Sequence, residues 1–155
     1  MKVYIDQSGK IENTGKLTVV AYANGKVRSL KISAVEKRKL LAVMKRLDKQ
    51  SATCVYKVFA ALVFLLIKGQ RISEVVVDKE YPGHEGTIKN VLKNLFEKGN
   101  LVFPEIGFTE ITKKSPAHKA AISVYRGENK PDLTVKAGNI LGLFFTKKKG
   151  WRSHS

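Results

Sequence analysis

The sequence predicts an α/β fold with one mixed five-stranded sheet, an antiparallel meander followed by β-α-β, and helices on both faces. Three observations support this prediction. Three short segments rich in β-branched residues open the chain, with turn signals between them. Two segments with helical spacing follow, and strand and helix patterns then alternate through the second half. Since a helix crossover joins parallel strands, the first and fourth strands are expected to be parallel neighbours.

The opening meander is predicted from its turns and its apolar alternation. Asn24-Gly25 is a strong two-residue hairpin signal. The apolar spacing slips by one position at Ser29, which favours a β-bulge there. A turn at 7–9 ends the first strand at Asp6. The three strands are expected at residues 2–6, 16–23 and 26–32.

The rest of the chain is predicted from helical periodicity, capping residues and apolar runs. Ser33 and Glu36 form a capping-box pattern, and Ser115-Pro116 is typical of a helix start. Valines 75–77 suit a strand that is covered on both faces. Helices are expected at 33–47, 51–68, 87–98, 115–126 and 136–144. A strand is expected at 71–79. Two further short strands are expected at 101–103 and 107–111, or these two segments form one strand broken near Pro104.

The composition favours one domain with an anionic partner. The chain has 155 residues, 43% of them hydrophobic, which predicts a single domain at 1–145 and a basic tail at 146–155. The formal charge is +16, and the basic residues are spread along the whole chain, which favours nucleic acid, DNA or RNA, as the partner. The alternative is a solvated basic surface. The candidate phosphate contacts are Lys37, Arg38, Lys113, Lys114, Lys147, Lys148 and Lys149, and Trp151 is a candidate for stacking on a base.

Some classes of protein are excluded or disfavoured by the same sequence. The single cysteine, Cys54, excludes an intrachain disulfide and a cysteine-based zinc site. The longest apolar run, 58–67, is shorter than the roughly 20 residues that span a bilayer. With a strand at the N-terminus and no visible secretory signal, we expect a cytoplasmic protein without a membrane partner.

Two acidic residues end predicted buried strands in this basic chain. Asp6 ends the first strand and Asp78 the fourth. A divalent metal that faces a phosphodiester would explain acids in these positions. The alternatives are local: Asp6 could open an Asx-turn with Ser8 or Gly9, and Asp78 could pair with a lysine.

The order of elements, with the segment 5–9 on the first strand and Val77-Asp78 on the fourth, resembles the ribonuclease H-like nuclease superfamily over about residues 1–126. That group includes ribonucleases H, Holliday-junction resolvases and integrases. The resemblance implies that Asp6 and Asp78 share metal ions, with a third ligand from a helix after the fifth strand. No Asp or Glu lies between residues 112 and 127, so the resemblance implies His118 there. Glu36, which also fits a capping box, and Glu80 are the competing third ligands.

The implied cofactor is Mg²⁺ or Mn²⁺, because hard cations prefer carboxylates, and a histidine ligand favours Mn²⁺. The catalytic set is then Asp6, Asp78 and His118, and the function a metal-dependent nuclease that cleaves phosphodiesters in structured DNA or RNA. His118 could instead be a surface or capping residue, and His84 an ordinary loop residue rather than a neighbour of the site. The alternative functions are a non-catalytic nucleic-acid-binding protein with the same fold and a basic interaction or assembly factor. The sequence leaves the oligomeric state open, although a junction resolvase would act as a homodimer.

Overall fold

The structure, a computed structural model, describes residues 1–48 and 51–145 and contains one sheet with helices on both of its faces. Its strands are β1 (Lys2–Ser8), β2 (Thr18–Asn24), β3 (Lys26–Ile32), β4 (Glu74–Asp78), β5 (Glu105–Thr109) and β6 (Leu133–Val135). Its α-helices are α1 (Ala34–Leu47), α2 (Cys54–Ile67), α3 (Glu85–Lys98), α4 (Pro116–Tyr125) and α5 (Ala137–Phe144). A short 3₁₀ turn, Ser51–Thr53, precedes α2.

The strand order across the sheet is β5-β4-β1-β2-β3-β6. β1 is antiparallel to β2, and β2 is antiparallel to β3, so the predicted meander is confirmed. β1 is parallel to β4, which confirms the predicted neighbours, and β4 is parallel to β5. The α/β class is therefore confirmed, whereas the predicted count of five strands is wrong because the sheet has six strands within the described residues.

The strand missing from the prediction is β6, which pairs in parallel with β3. Its three residues are too few to show an alternating pattern. The contact begins at Asp132, whose carboxylate accepts a hydrogen bond from the Ser29 backbone N–H at 2.8 Å. The Asp132 N–H in turn donates to the Ser29 carbonyl at 3.0 Å.

Two details of the meander also differ from the prediction. β1 continues to Ser8, so Asp6 lies inside the strand and does not open a turn. The register between β2 and β3 runs without interruption from Thr18 opposite Ile32 to Asn24 opposite Lys26, so there is no bulge at Ser29. Ser29 faces the other side of the sheet from Leu30 and meets Asp132, which explains the slip in the apolar spacing.

The two faces of the sheet are covered unequally. A large core lies between one face and the helices α1, α2, α3 and α5, with α2 buried along most of its length. α4 lies on the opposite face, across β1, β2 and β3, over a small core of Val19, Ala21, Ala121 and Val124. The predicted coverage of both faces is therefore confirmed. Within the described residues, no helix has both the length and the apolarity needed to cross a bilayer.

Candidate metal centre

Three carboxylates meet where the C-terminal half of β1 lies beside the end of β4, on the face that α4 covers. One ligand oxygen from each of Asp6, Asp78 and Glu80 lies within 4.8 Å of the other two. Asp6 is buried, with 3% of its surface exposed, while Asp78 and Glu80 are half-buried. Such a cluster of oxygen donors could hold a metal ion.

The parallel pairing of β1 with β4 creates this cluster. Tyr4 pairs with Val76 and Ile5 with Val77, so the next position along each strand brings Asp6 beside Asp78. Successive residues of a strand alternate between faces, and Asp6 therefore shares its face with Ala21 of β2 and with α4. Glu80, two residues beyond Asp78, returns to the cluster just after the strand ends.

Backbone amides fix the orientation of the two aspartates. The Gln7 N–H donates to Asp6 Oδ1 at 2.8 Å. The Ile111 N–H, just after β5, donates to Asp78 Oδ1 at 2.7 Å. Asp6 thus bonds its immediate neighbour within the strand and forms no Asx-turn with Ser8 or Gly9. Asp78 bonds the backbone, and none of the described lysines forms an ion pair with it, in contrast to the alternative considered from the sequence.

Burial raises the pKa values of two carboxyls of the cluster, Glu80 and Asp6. Burial raises the pKa of the Glu80 carboxyl to about 8, and the adjacent Asp78 carboxylate contributes to the rise. Burial also raises the pKa of Asp6, although the hydrogen bonds from Gln7 and His118 oppose that rise. Raised pKa values at two carboxyls of one cluster, Asp6 and Glu80, are typical of functional sites.

His118 lies in the first turn of α4 and contacts Asp6 directly. Its Nδ1 is 2.7 Å from Asp6 Oδ2, and 26% of its side-chain surface is exposed. With the carboxylate as acceptor, Nδ1 carries the proton and a neutral ring leaves Nε2 as an acceptor. Among the described residues, nothing hydrogen-bonds to Nε2. The structure thus brings the predicted residues Asp6, Asp78 and His118 together, but the clustered ligand oxygens are those of Asp6, Asp78 and Glu80.

Local contacts fix both ends of α4, the helix that carries His118. Ser115 Oγ accepts a hydrogen bond from the Ala117 N–H at 3.2 Å, as expected from the Ser115-Pro116 signal. At the other end, Tyr125 approaches Gly9, where φ is +81°. A Cβ on Gly9 would collide with the Leu17 carbonyl and would lie 2.6 Å from Tyr125 Cε1. Glycine at position 9 therefore permits the close approach of β1, β2 and α4.

Two other candidates from the sequence lie elsewhere. The Glu36 backbone N–H bonds Ser33 Oγ as expected, but the Glu36 carboxylate accepts the N–H of Ala137 at 3.0 Å and so caps α5. That bond lowers the pKa of Glu36. His84 stacks on Tyr56 of α2, with ring centroids 4.0 Å apart. Neither side chain belongs to the carboxylate cluster.

Lys37 was expected to contact phosphate, but the structure places it in the interior. The side chain is fully buried, and its ammonium donates to the carbonyls of Lys10 and Asn13 at 3.0 and 2.8 Å and to Thr18 Oγ1 at 3.0 Å. These bonds fasten α1 to the loop between β1 and β2 and to the start of β2. No donor of Lys37 is left for a phosphate, so this prediction is wrong.

The remaining basic candidates are exposed or lie outside the described residues. Arg38 is exposed and donates to the Thr14 carbonyl at 2.8 Å. Lys113 and Lys114 are exposed in the connection that leads from Ile111 to α4, close in the chain to the group that binds Asp78. Lys147, Lys148 and Lys149, together with Trp151 and the rest of the predicted tail, lie outside the described residues.

The chain matches no protein-family model, and no curated protein sequence matches it.

Proposed function

We propose that the protein is a nuclease of the ribonuclease H-like type, dependent on Mg²⁺ or Mn²⁺, that cleaves phosphodiesters in structured DNA or RNA. The observation that carries the proposal is the cluster of ligand oxygens from Asp6, Asp78 and Glu80, within 4.8 Å of one another. Carboxylate oxygens are the donors that suit hard divalent cations such as Mg²⁺ and Mn²⁺.

The order of the strands supports the proposed family. From β3 to β5 the order is 3-2-1-4-5, with the first three strands antiparallel and β4 and β5 parallel to β1. This is the arrangement that the resemblance to ribonuclease H-like nucleases implies, in which acids on the first and fourth strands lie side by side. β6, at the outer edge of β3, is an addition to that arrangement.

Phosphodiester hydrolysis needs an activated water and a neutralised charge on the leaving oxygen, which is the chemistry that divalent ions supply when bound. In the protein, Asp6, Asp78 and Glu80 would hold the ions. The hydrogen bond from His118 orients the Asp6 carboxylate and favours its ionised form, because it opposes the rise in the pKa of Asp6 that burial causes. The Nε2 atom of His118 can accept a proton at the edge of the site.

A basic surface around an acidic site supports a polyanionic substrate. The chain carries 29 Lys and Arg against 13 Asp and Glu. Lys113, Lys114 and Lys119 lie within five residues of His118 in the chain, and all three are exposed. A surface of this kind attracts phosphate backbones and makes binding sensitive to salt.

The test is Mn²⁺-dependent cleavage of branched DNA and of RNA–DNA hybrids by wild type, Asp6→Asn and Asp78→Asn. The control is Glu128→Gln, which removes one exposed carboxylate beyond the end of α4. Both aspartate variants should lose cleavage but keep nucleic-acid binding, because an amide cannot neutralise a dication. The control should cleave normally.

Cleavage that survives either aspartate substitution would overturn the proposed metal centre. A wild type that binds nucleic acid but cleaves neither substrate would favour the non-catalytic alternative. A wild type that binds neither duplex nor single strands at moderate salt would favour the basic assembly factor instead.

A further inference from the structure

Lys10 is an exposed cation at the rim of the carboxylate cluster that the sequence did not single out. It follows Asp6 by four residues, and its ammonium lies 5.9 Å from the centroid of the Tyr81 ring. Tyr81 comes directly after Glu80 in the chain. The ammonium of Lys10 therefore lies over the ring of the residue that follows Glu80.

The backbone of Lys10 is fixed from two sides. Its carbonyl accepts hydrogen bonds from the buried Lys37 ammonium at 3.0 Å and from the Asn13 N–H at 3.1 Å. The residue before it, Gly9, is confined between Leu17 and Tyr125. A lysine on such an anchored backbone loses less conformational freedom on binding than one on an open loop.

The platform under the Lys10 side chain is also fixed. Tyr81 is buried, and its hydroxyl accepts hydrogen bonds from Gln7 Nε2 and from the Ile11 N–H at 3.1 and 3.2 Å. It donates to Glu12 Oε1 at 3.3 Å. The ring therefore has a defined position, and a cation above it is held by cation–π attraction while its donors stay in solvent.

The donors of Lys10 are available to a ligand. Within residues 1–48 and 51–145, no group accepts a hydrogen bond from the Lys10 ammonium or forms an ion pair with it. This ammonium lies near the carboxylate cluster but forms no ion pair with the described carboxylates. Such a cation suits an anion that binds a metal ion and the protein at the same time. A phosphate group is such an anion, because its oxygens can bind a metal ion on one side and accept lysine hydrogen bonds on the other.

We propose that Lys10 is a phosphate-binding residue of this centre, and that it holds a non-bridging oxygen of the scissile phosphate. The proposal rests on the proposed metal-dependent nuclease. It assigns the positioning of the phosphate to the loop between β1 and β2, fastened by Lys37, rather than to the basic residues of α1.

The experiment measures binding of thymidine 5′-monophosphate to the full chain at saturating Mn²⁺, by calorimetry, after a separate titration with Mn²⁺ alone. The variants are Lys10→Ala and Lys10→Arg. The control is Lys16→Ala, which removes the same charge from an exposed position on the same loop. Thermal unfolding verifies that each variant is folded.

Lys10→Ala should bind Mn²⁺ yet bind the nucleotide about tenfold to a hundredfold more weakly, the equivalent of one charge-assisted hydrogen bond. Lys10→Arg should retain part of the affinity, and Lys16→Ala nearly all of it. Nucleotide affinity that is unchanged in Lys10→Ala, or reduced equally in Lys16→Ala, would overturn the role of Lys10 and leave the metal centre standing. A wild type that binds no Mn²⁺ would overturn both.

Discussion

The His118 imidazole and the Asp6 carboxylate are joined by a hydrogen bond of 2.7 Å across 112 positions of sequence. The bond connects α4 to β1 at the point where β1 lies beside β4. Because it lowers the pKa of Asp6, it opposes the effect of burial on that carboxyl. The orientation and the pKa of Asp6 therefore depend on where α4 lies on the sheet.

We predict that His118→Ala weakens Mn²⁺ binding about tenfold or more, as removal of a partner that orients a ligand typically does. Without the hydrogen bond, Asp6 becomes easier to protonate and less well oriented. His118→Asn is the matched control, since its amide can donate from nearly the position of Nδ1, and it should retain most of the affinity. Calorimetric titration of both variants measures this. Equal affinity in the wild type and in His118→Ala would show that the bond does not support the centre.

The raised pKa of Glu80 predicts a pH dependence of stability. The unfolded chain releases this proton near the ordinary value of 4.5, whereas the folded protein keeps it up to about 8. Between these values the folded state binds more protons, so the metal-free protein loses stability as pH rises from about 4.5 to about 8. Glu80→Gln, which resembles the protonated acid, should remove this contribution.

The measurement is urea unfolding of the wild type and of Glu80→Gln at pH 5 and at pH 8. The stability advantage of Glu80→Gln over the wild type should grow as pH rises. Addition of Mn²⁺ should stabilise the wild type most at the higher pH, because ligands bind metal in their deprotonated form. Parallel pH profiles for the two proteins would contradict the prediction.

We predict that Lys37→Met destabilises the fold by about 3 kcal/mol, because it leaves the Lys10 and Asn13 carbonyls and the Thr18 hydroxyl without their donor. The neighbouring Arg38→Met is the control. Arg38 also bonds the loop, through the Thr14 carbonyl, but it is exposed, and its loss should change the free energy of unfolding by no more than about 0.5 kcal/mol. Similar losses of unfolding free energy in the two variants would contradict the prediction that the buried Lys37 ammonium stabilises the fold more than the exposed Arg38 does.

We predict that Gly9→Ala is more destabilising than Gly25→Ala. Both glycines have positive φ, +81° and +70°, so both substitutions strain the backbone. Only at Gly9 does the added methyl group collide with the Leu17 carbonyl and Tyr125, since nothing lies within 4 Å at Gly25. The difference between the melting temperatures of the two variants measures the destabilising effect of the collision. Because Tyr125 belongs to α4, Gly9→Ala should also weaken Mn²⁺ binding, whereas Gly25→Ala should not.

The parts of the fold that follow from local patterns were predictable from the sequence. The meander, the order of the helices and the parallel neighbours β1 and β4 rest on hairpin signals, apolar periodicity and the need for a crossover helix. β6 was not predictable in this way, because three residues show no period and its pairing with β3 depends on contacts between Asp132 and Ser29. The end of β1 was misplaced because the polar segment 7–9 looks like a turn, yet Gln7 and Ser8 are buried in the sheet.

The candidate site was predictable only as far as strand positions determine it. Asp6 and Asp78 follow from the strand order, and His118 from the resemblance together with the position of α4. Whether Glu80 joins the carboxylate cluster depends on the path of the chain after β4, which no local sequence pattern predicts. The burial of Lys37 was not predictable either. A lysine in a basic run is normally solvated, and its three acceptors, in the loop after β1 and at the start of β2, are distant in sequence.

The small core beneath α4 has a consequence for the order in which the protein opens. Val19, Ala21, Ala121 and Val124 form a core separate from the much larger one on the other face, and local opening begins where few apolar contacts must break. α4 should therefore detach as a subglobal unit while the main core stays intact, and its amides should exchange with solvent faster than those of α2. Since His118 moves with that helix, heating should weaken metal binding at a temperature below the global melting point.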